Sequence, residues 1–271
     1  MCSSDLTYQN VIDYVTIATA GNATDFGDLT LARGAGFAGM SNYVRGCFAG
    51  GTEASNSNII DYVTIASTGN ATDFGDLLAA SQGTSGCSSS TRGIIAGGTE
   101  AARSNVIQYI TIASTGNAID FGDLTQALTQ MAGCSTETRG VFAGGGDVSA
   151  VAVNVIQYIT IASVGNATDF GDLTQVRAAL GACSSDTRGI FGGGTTNFAA
   201  SGSVNTIDYV TIASAGNATD FGDLIQVEFG AYNIRGCSSL TRGVFAGGTV
   251  YSSPTNVIQY VTIATTGNAL D

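Results

Sequence analysis

The residues of this chain that could do chemistry are carboxylates that recur in pairs, three positions apart around a glycine. The motif Asp-Phe-Gly-Asp begins at Asp25, Asp73, Asp120, Asp169 and Asp220. Two carboxylates at this spacing can converge on a hard cation such as calcium. One arginine recurs with each pair, at Arg45, Arg92, Arg139, Arg188 and Arg242. Carboxylates also satisfy turn amides and pair with arginine, so we predict turn capping and pairing with these arginines, without a metal or other cofactor. Calcium is the alternative.

Catalysis finds little support in the residue types. The chain has no histidine, which removes the commonest general base and any Ser-His-Asp triad. Glycoside hydrolysis requires only two carboxylates. The acids outside the repeated pairs that could supply them are Glu137, Asp147, Asp186 and Glu228. They are few and scattered, so we predict a protein that is not an enzyme, with a glycoside hydrolase as the third and weakest alternative.

The thiols follow the same internal repeat. Four of the six cysteines share one repeat position, namely Cys87, Cys134, Cys183 and Cys237, and Cys2 resembles a remnant of that motif. Equivalent positions around a ring do not face each other. We therefore predict buried free thiols and no disulfides, with a metal-holding ring of thiols as the alternative.

The elements that position these residues are copies of one stretch, first met at 10–29 (NVIDYVTIATAGNATDFGDL). Its tyrosine recurs every 47 to 51 residues, at Tyr14, Tyr62, Tyr109, Tyr158, Tyr209 and Tyr260. A period of this length, built from short β-rich segments and glycine turns, is typical of propeller blades. Each period contains four strand-like pieces, such as 133–138, 139–145, 155–162 and 169–174. The sequence therefore predicts an all-β fold made of four-stranded antiparallel blades.

The copies of the second and fourth strands set the number of blades. Each occurs five times, which predicts a five-bladed β-propeller that forms a single domain over residues 1–271. Its repeat units span approximately 1–34, 35–82, 83–130, 131–179, 180–230 and 231–271. The chain enters and leaves at strand three, so we expect the N- and C-terminal strands to share one blade and to close the ring.

Strand three itself occurs six times, which leaves one copy, 10–18 or 256–264, as surplus. That copy lies outside the ring, exchanges into a neighbouring molecule to form an oligomer, or reflects a chain cut from a longer repeat array. The near identity of the repeats also leaves open a partly engineered sequence.

These residues resemble the kelch family, in which a strand ends in Gly-Gly, a variable loop follows, and a strand with tyrosine precedes a turn. The resemblance covers nearly the whole chain. The usual kelch tryptophan is absent, and phenylalanine stands in its approximate place at Phe26, Phe74, Phe121, Phe170 and Phe221. The phrases YVTIASTGNATDFGDLT, CSSSTRG and FAGGT also resemble repeats of structural and tail-associated proteins of marine tailed bacteriophages, including cyanophages. This second resemblance implies a virion component of the tail or its fibres that contacts a bacterial surface and other virion proteins.

One face of the predicted propeller is diversified. Between Gly-Gly and strand three the five loops hold 6, 6, 8, 10 and 7 residues, and the stretch from FGDL to the next repeat arginine also varies. In an antiparallel blade the two-to-three and four-to-one connections emerge on the same face, and loops on a rigid frame commonly carry binding. We predict ligand contacts there at Tyr43, Asn56, Arg103, Asp147, Asn197, Phe198, Phe229, Tyr232, Asn233 and Tyr251.

Composition limits the partners. The net charge is -12, and all nine basic residues are arginine, so nucleic acid and anionic membranes are disfavoured partners. No run of 18 apolar residues and no signal peptide is found. We therefore expect no membrane insertion, and location in the virion or otherwise in the cytoplasm. The predicted function is non-catalytic binding of a bacterial surface glycan or protein. The alternative is an intracellular kelch-type interaction scaffold, or a repeat protein without a ligand of its own.

Overall fold

The computed structural model describes residues 8–34, 36–225, 233–250 and 253–271. Apart from one short 3-10 helix (Ala200–Gly202), every regular element among them is a β-strand. The strands are β1 (Val11–Tyr14), β2 (Thr24–Asp28), β3 (Ala38–Ser41), β4 (Arg45–Ala49), β5 (Ile59–Thr64), β6 (Thr72–Asp76), β7 (Ser85–Ser88), β8 (Arg92–Ala96), β9 (Val106–Thr111), β10 (Ile119–Asp123), β11 (Ala132–Ser135), β12 (Arg139–Ala143), β13 (Val155–Thr160), β14 (Thr168–Asp172), β15 (Gly181–Ser184), β16 (Arg188–Gly192), β17 (Thr206–Thr211), β18 (Thr219–Asp223), β19 (Arg235–Ser238), β20 (Arg242–Ala246), β21 (Thr249–Val250), β22 (Ser253–Pro254) and β23 (Ile258–Thr262).

The strands form five small antiparallel sheets around a ring, which confirms the predicted five-bladed β-propeller. Blades 1 to 4 are the four-stranded sheets β3–β6, β7–β10, β11–β14 and β15–β18, each in chain order from one edge to the other. Blade 5 contains β19, β20 and β23, and a bridge from Tyr260 to Leu270 begins its fourth-strand pairing. The first strands of successive blades pack side by side, β3 on β7, β7 on β11, β11 on β15 and β15 on β19.

The third strand of each blade is buried on both faces, as its apolar composition predicts. In β13, for example, Ile156 is fully buried on one face and Gln157 is fully buried on the other. A sheet that is covered on both faces by neighbouring sheets produces such a pattern. The hydrophobic core therefore consists of layers between adjacent blades, not of one central cluster.

The Asp-Phe-Gly-Asp motif forms a β-bulge in the pairing of strands three and four. In blade 2 the extra residue is Phe121, whose buried ring meets Tyr109 edge-on at 6.0 Å between ring centroids. The following Gly122 has a φ of 144°, and a Cβ at this position would lie 2.5 Å from the carbonyl oxygen of Gly165 in the next blade. Glycine is therefore required both by the backbone conformation and by the close approach of the neighbouring blade.

The turn between strands three and four clamps the preceding blade at this bulge. Gly165 N donates to Phe121 O over 2.8 Å, and Ala167 N donates to Asp123 O over 2.7 Å. The side chain of Asn166 accepts from Asp123 N over 3.0 Å. Equivalent backbone contacts join the N-terminal pair β1–β2 to blade 1 and each blade to the next through blade 5. The sequence motif Gly-Asn-Ala is thus an interblade clamp as well as a turn.

The two chain ends do not share a blade, so that part of the prediction is wrong. β1 pairs with β2 in a two-stranded sheet, called the N-terminal sheet below, whereas β23 pairs with β20 in blade 5. The physical reason is the contact of Arg242 Nη1 with Ile17 O, at 3.2 Å, which places the N-terminal sheet after blade 5 as a further position of the ring. Both copies of strand three therefore lie within the ring.

The thiol prediction is confirmed at three of its four repeat positions. Cys87, Cys134 and Cys183 are free and buried, whereas Cys237 is free and exposed. In the first three cases the sulfur packs against the glycine after the repeat arginine of the next blade, as Cys87 does against Gly140. For Cys237 that neighbouring strand two is missing among the described residues, which explains its exposure. Cys2 lies outside the described residues.

Candidate functional site

The variable-loop face consists of the connections between strands two and three and those between strands four and one. Each two-to-three loop stands on a base that is the same in blades 1 to 4. A bridge closes the loop on itself, as from Thr99 to Arg103, and a second bridge ties it to the preceding connection, as from Thr99 to Gln82. The matching closures are Thr52 to Asn56, Gly146 to Ala152 and Thr195 to Ser203. Differences in loop length are therefore confined to the tips, which are 53–55, 100–102, 147–151 and 196–202, whereas the residue at the closing bridge also differs between blades.

Three predicted ligand contacts come together across the loops of blades 2, 3 and 4. The guanidinium carbon of Arg103 lies 5.6 Å from the centroid of the Phe198 ring, and Arg103 Nη1 lies 4.0 Å from Asp147 Oδ1. Phe198 also covers Gly146, where an added Cβ would collide with its ring. These contacts join three loops that are distant in sequence into one continuous surface, which we call the tip cluster.

The tip cluster combines charge with exposed apolar groups. Asp147 Oδ1 accepts from Ser149 N and Val151 N, at 2.9 Å and 3.0 Å, so the carboxylate also holds its own tip. The adjacent Val148 and Val151 side chains are 73% and 56% exposed. Arg103 Nη1 is buried and has no hydrogen-bond acceptor among the described residues. The tip cluster thus places exposed valine side chains beside a guanidinium with one unpaired nitrogen.

Two further predicted contacts are occupied within the protein. Asn56 Nδ2 donates to Thr99 O over 2.7 Å and to Glu100 O over 3.1 Å in the next loop. Asn197 Oδ1 accepts from Ala199 N over 3.0 Å inside its own tip. Their main role in this structure is to order the loops. Phe229, Tyr232 and Tyr251 lie outside the described residues.

Asn233 belongs to a ring of residues with positive φ just before strand one. Its φ is 58°, and its backbone N donates to Ala179 O over 2.8 Å. The same link continues from Ala179 N to Gln130 O and from Gln130 N to Gly83 O. Asn233 is exposed and lies just before β19, in the connection between strands four and one on the variable-loop face.

Tyr43 lies on the opposite face, so its assignment to the variable-loop face is wrong. It follows β3 and precedes β4, which makes it part of a one-to-two turn. The stretch from FGDL to the repeat arginine contains the four-to-one connection, strand one and the one-to-two turn. The prediction treated this whole stretch as part of the variable-loop face. We call the face that carries the one-to-two and three-to-four turns the turn face.

The turn face has one variable position per blade that the sequence analysis missed. Residues at this position are all exposed: Tyr43, Ser90, Glu137, Asp186 and Leu240. They surround the mouth of the central channel with a cavity of about 530 Å³. Neighbouring turns are linked, since Glu137 Oε2 accepts from Ser90 N and Ser90 Oγ over 2.9 Å and 2.8 Å. Alignment of the one-to-two turns against each other could have found this position from the sequence.

The repeat arginines do not pair with the repeated aspartates, so the predicted pairing is wrong. Arg45 stacks over Tyr62, with 4.4 Å from the guanidinium carbon to the ring centroid, and Nη1 donates to Ile112 O in the next blade. The other repeat arginines, Arg92, Arg139, Arg188 and Arg242, make the same stack. The first aspartate of each motif is exposed on strand four, away from this stack, because tyrosine occupies the space beside the guanidinium. The asparagine of the clamp accepts from a backbone amide of the preceding blade, as Asn166 Oδ1 does from Asp123 N.

Two other arginines form buried ion pairs that the sequence analysis missed. Arg33 Nη2 lies 2.5 Å from Asp61 Oδ2, and Arg177 Nη2 lies 2.6 Å from Asp208 Oδ2, with all four side chains fully buried. Burial lowers the pKa of Arg177, and Asp208 partly opposes this change. Blades 2 and 3 have glutamine in place of the aspartate, at Gln108 and Gln157, and serine or leucine in place of the arginine, at Ser81 and Leu128. The two positions therefore change together within one chain.

The described residues contain no group of three or more His, Cys, Asp or Glu side chains that could hold a metal ion. Of the acids considered for hydrolysis, Glu137 and Asp186 line one cavity of about 420 Å³ on the turn face. Asp147 lies on the variable-loop face, and Glu228 lies outside the described residues. The geometry thus separates Asp147 from the other two acids.

No protein-family model matches the chain, and a search of curated proteins finds no significant match. No helix in the described part of the chain is long and apolar enough to span a membrane. A β-propeller with loops on a rigid ring suggests a binding or scaffold role.

Proposed function

We propose that this protein is a non-catalytic binding protein that recognises a glycan or protein on a bacterial surface through the variable-loop face. The observation that carries the proposal is the division of the two-to-three loops of blades 1 to 4 into a base closed by the same bridges and a tip of variable length. If the loop sequences had drifted without selection for binding, nothing would require the bridges at their bases to persist while the tips changed. Function in such scaffolds is concentrated on loops that a rigid frame positions.

The tip cluster is the best candidate for the contact surface. The Arg103 guanidinium is held by Phe198 and Asp147, so little side-chain entropy is lost when a ligand contacts the part of the Arg103 side chain that is exposed, which is 17%. Val148 and Val151 add apolar area beside it. A polar ligand with an adjacent apolar surface, such as a glycan ring face or a protein loop, fits this combination.

The resemblance to phage tail repeats supports a place in the virion, as a component of the tail or its fibres beside other virion proteins. Several copies of the protein on one particle would convert weak contacts into high avidity. In this role the acidic surface of the protein, with a net charge of -12, favours basic or neutral partners over polyanions.

A second candidate function is protein interaction through the turn face, as in an intracellular scaffold. The observation that favours it is the exposure of two large side chains there, Tyr43 at 89% and Leu240 at 66%. Exposed aromatic and aliphatic groups around a channel mouth are frequent anchors of protein interfaces.

One pair of matched variants separates the two faces. In the tip variant, residues 147–151 and 196–202 are each replaced by Glu-Ala-Ala, the sequence of tip 100–102. In the turn variant, Tyr43, Glu137 and Leu240 are replaced by serine, the residue found at position 90. Both keep the bases, strands and clamps, so both should fold with thermal midpoints close to that of the parent protein.

Binding is then measured on glycan arrays and on bacterial cells, and capture is measured with purified virion proteins. The proposal expects at least a tenfold loss of binding for the tip variant and little change for the turn variant. The reverse result would move recognition to the turn face and favour the scaffold. Equal binding by all three proteins would contradict recognition through either face.

A further inference from the structure

The interfaces between successive blades are completed by the second strand of the later blade. One side chain from that strand inserts into the face of the preceding blade and is fully buried in each case. The residues concerned are Ile95, Phe142, Phe191 and Phe245. Phe245, for example, packs with Cys183, Ile190 and Ile207 of blade 4.

The N-terminal sheet follows blade 5 in the same way that blade 5 follows blade 4. Arg188 Nη1 of blade 4 donates to Ile263 O of blade 5 over 3.1 Å, and Arg242 Nη1 of blade 5 donates to Ile17 O of the N-terminal sheet over 3.2 Å. β1 and β2 therefore occupy the places of strands three and four in a further blade. Among the described residues β1 pairs with β2 alone.

A cavity marks the place of the second strand at this interface. It has a volume of about 550 Å³ and is lined by Val15 and Ile17 of the N-terminal sheet and by Val244, Ile258 and Tyr260 of blade 5. Ile190, Ile207 and Tyr209 are the corresponding residues of blade 4, and Phe245 covers that face. The cavity is thus lined by the same kinds of residues that surround Phe245, the phenylalanine of strand two, at the interface between blades 4 and 5.

Blade 5 and blade 1 flank the place where strands one and two of this further blade would lie. Each carries the surface on which those strands pack at the other interfaces. On the blade 5 wall, Cys237 is exposed, although its equivalents are buried against a glycine of the following blade. On the blade 1 wall, Gly46 and Phe48 are partly exposed. The equivalent Gly140 is buried, and a Cβ there would lie 2.6 Å from Cys87 Sγ. β19 and β3, which flank the position, do not pack on each other as the other first strands do.

We propose that this position, called the acceptor position, is a docking site for a β-hairpin that has the strand-one and strand-two sequence of this repeat. The second strand of the hairpin pairs with the free edge of β1, as β20 pairs with β23. Its phenylalanine fills the cavity, its Arg-Gly covers Cys237, and its first strand covers Gly46. The partner is thus a repeat segment of the same chemistry, and the inference does not depend on the proposed function.

The test uses a synthetic peptide with the sequence of residues 131–146, which contains one such hairpin. Cys134→Ala in the peptide removes its thiol, and the protein carries Cys2→Ser so that Cys237 is the one exposed thiol of interest. The matched control peptide carries Phe142→Ala in addition. Fluorescence anisotropy of the labelled peptides measures binding, and the rate of maleimide modification reports the accessibility of Cys237.

The proposal expects saturable binding of the peptide, at least tenfold weaker binding of the Phe142→Ala peptide, and slower modification of Cys237 in the complex. Equal affinity of both peptides, or binding that leaves the modification rate of Cys237 unchanged, would overturn it. Because an isolated hairpin loses entropy when it folds and docks, a second variant offsets that cost by tethering, which raises the effective concentration of the hairpin.

In the tethered variant, residues 121–146 of the chain are fused after Asp271, which extends strand four of blade 5 and delivers the hairpin. The expected results are at least a tenfold slower modification of Cys237 and a higher urea midpoint than that of the same fusion with Phe142→Ala. Absence of peptide binding together with an unprotected Cys237 in the fusion would rule out the acceptor position.

Discussion

Replacement of Arg177 by leucine should destabilise the protein far more than the combined replacement Arg177→Leu with Asp208→Gln. The single change leaves the Asp208 carboxylate buried without its partner, which lies 2.6 Å away in the parent protein. Removal of one member of a buried ion pair typically costs about 3–5 kcal/mol. Gly193 O and Thr206 O also lose the hydrogen bonds that Arg177 Nη1 donates to them.

The combined replacement reproduces blade 3, in which Leu128 and Gln157 occupy these two positions. Gln157 Oε1 accepts from Thr125 N over 2.8 Å and from Thr125 Oγ1 over 3.1 Å. Thr174 offers the same two donors to Asp208 in blade 4. The amide nitrogen of Gln157 has no acceptor among the described residues, so the combined variant should still lose about 1 kcal/mol. The combined variant should therefore be roughly 2–4 kcal/mol more stable than Arg177→Leu alone.

Urea unfolding followed by circular dichroism measures these differences. At an m-value of roughly 3 kcal/mol/M, a loss of 4 kcal/mol lowers the midpoint by more than about 1 M. Asp208→Gln alone completes the cycle, and Leu128→Arg with Gln157→Asp is the matched reverse exchange in blade 3. The reasoning would be refuted if the combined variant were as unstable as Arg177→Leu, or if Arg177→Leu alone cost less than about 1 kcal/mol.

Three further predictions concern glycine, pH and thiol reactivity. Gly122→Ala should lower the free energy of unfolding by more than about 3 kcal/mol, because φ is positive and the next blade approaches closely. Gly39→Ala should lower it by less than about 1 kcal/mol, because no atom lies within 4 Å of the Cβ position. Urea midpoints of the two variants test both values. Burial raises the pKa of the Cys134 thiol to about 12 and that of Cys47 to about 11, whereas an unfolded thiol has a pKa of about 8.5. Above about pH 8.5 the unfolded thiols lose their protons while the buried ones keep them, so the free energy of unfolding should fall by roughly 2 kcal/mol per thiol by pH 10. Below that pH the thiols should leave the free energy of unfolding unchanged. A pH dependence unaffected by Cys134→Ala would contradict this account. In a Cys2→Ser background, Ellman's reagent should titrate one thiol, Cys237, in the native protein and five after denaturation; rapid native reaction of more than one would show that the blades open.

The fold could be predicted from the sequence because its repeat is explicit. A period of 47 to 51 residues, four strand-like pieces and the Gly-Gly exits are local patterns, and local patterns determine a blade. The closure could not be predicted in the same way. Counting strands does not show whether β1 pairs with β23 or stands beside it, and that choice depends on the contact between Arg242 and Ile17.

The candidate site was predicted less completely than the fold. The loop face was found because loop lengths differ, but the contact of Arg103 with Phe198 joins two loops whose tips must first be placed in space. The pairing of Arg177 with Asp208 was missed because this arginine lies outside the repeated arginine position. The alternation of Asp and Gln before the tyrosine, as at Asp208 and Gln157, was visible in the sequence and is the signal that could have found it.

The interblade clamp has a consequence for how the chain is synthesised and folds. Each clamp joins residues only 41 to 45 positions apart, as Asp76 to Asn117 and Asp223 to Asn268 show. The contact of Arg242 with Ile17 instead spans 225 residues. Each blade can therefore be stabilised as soon as the three-to-four turn of the next blade leaves the ribosome, so the blades can fold one after another during synthesis. Ring closure is then the one step that must wait for a distant segment, and it should set the slowest rate in folding.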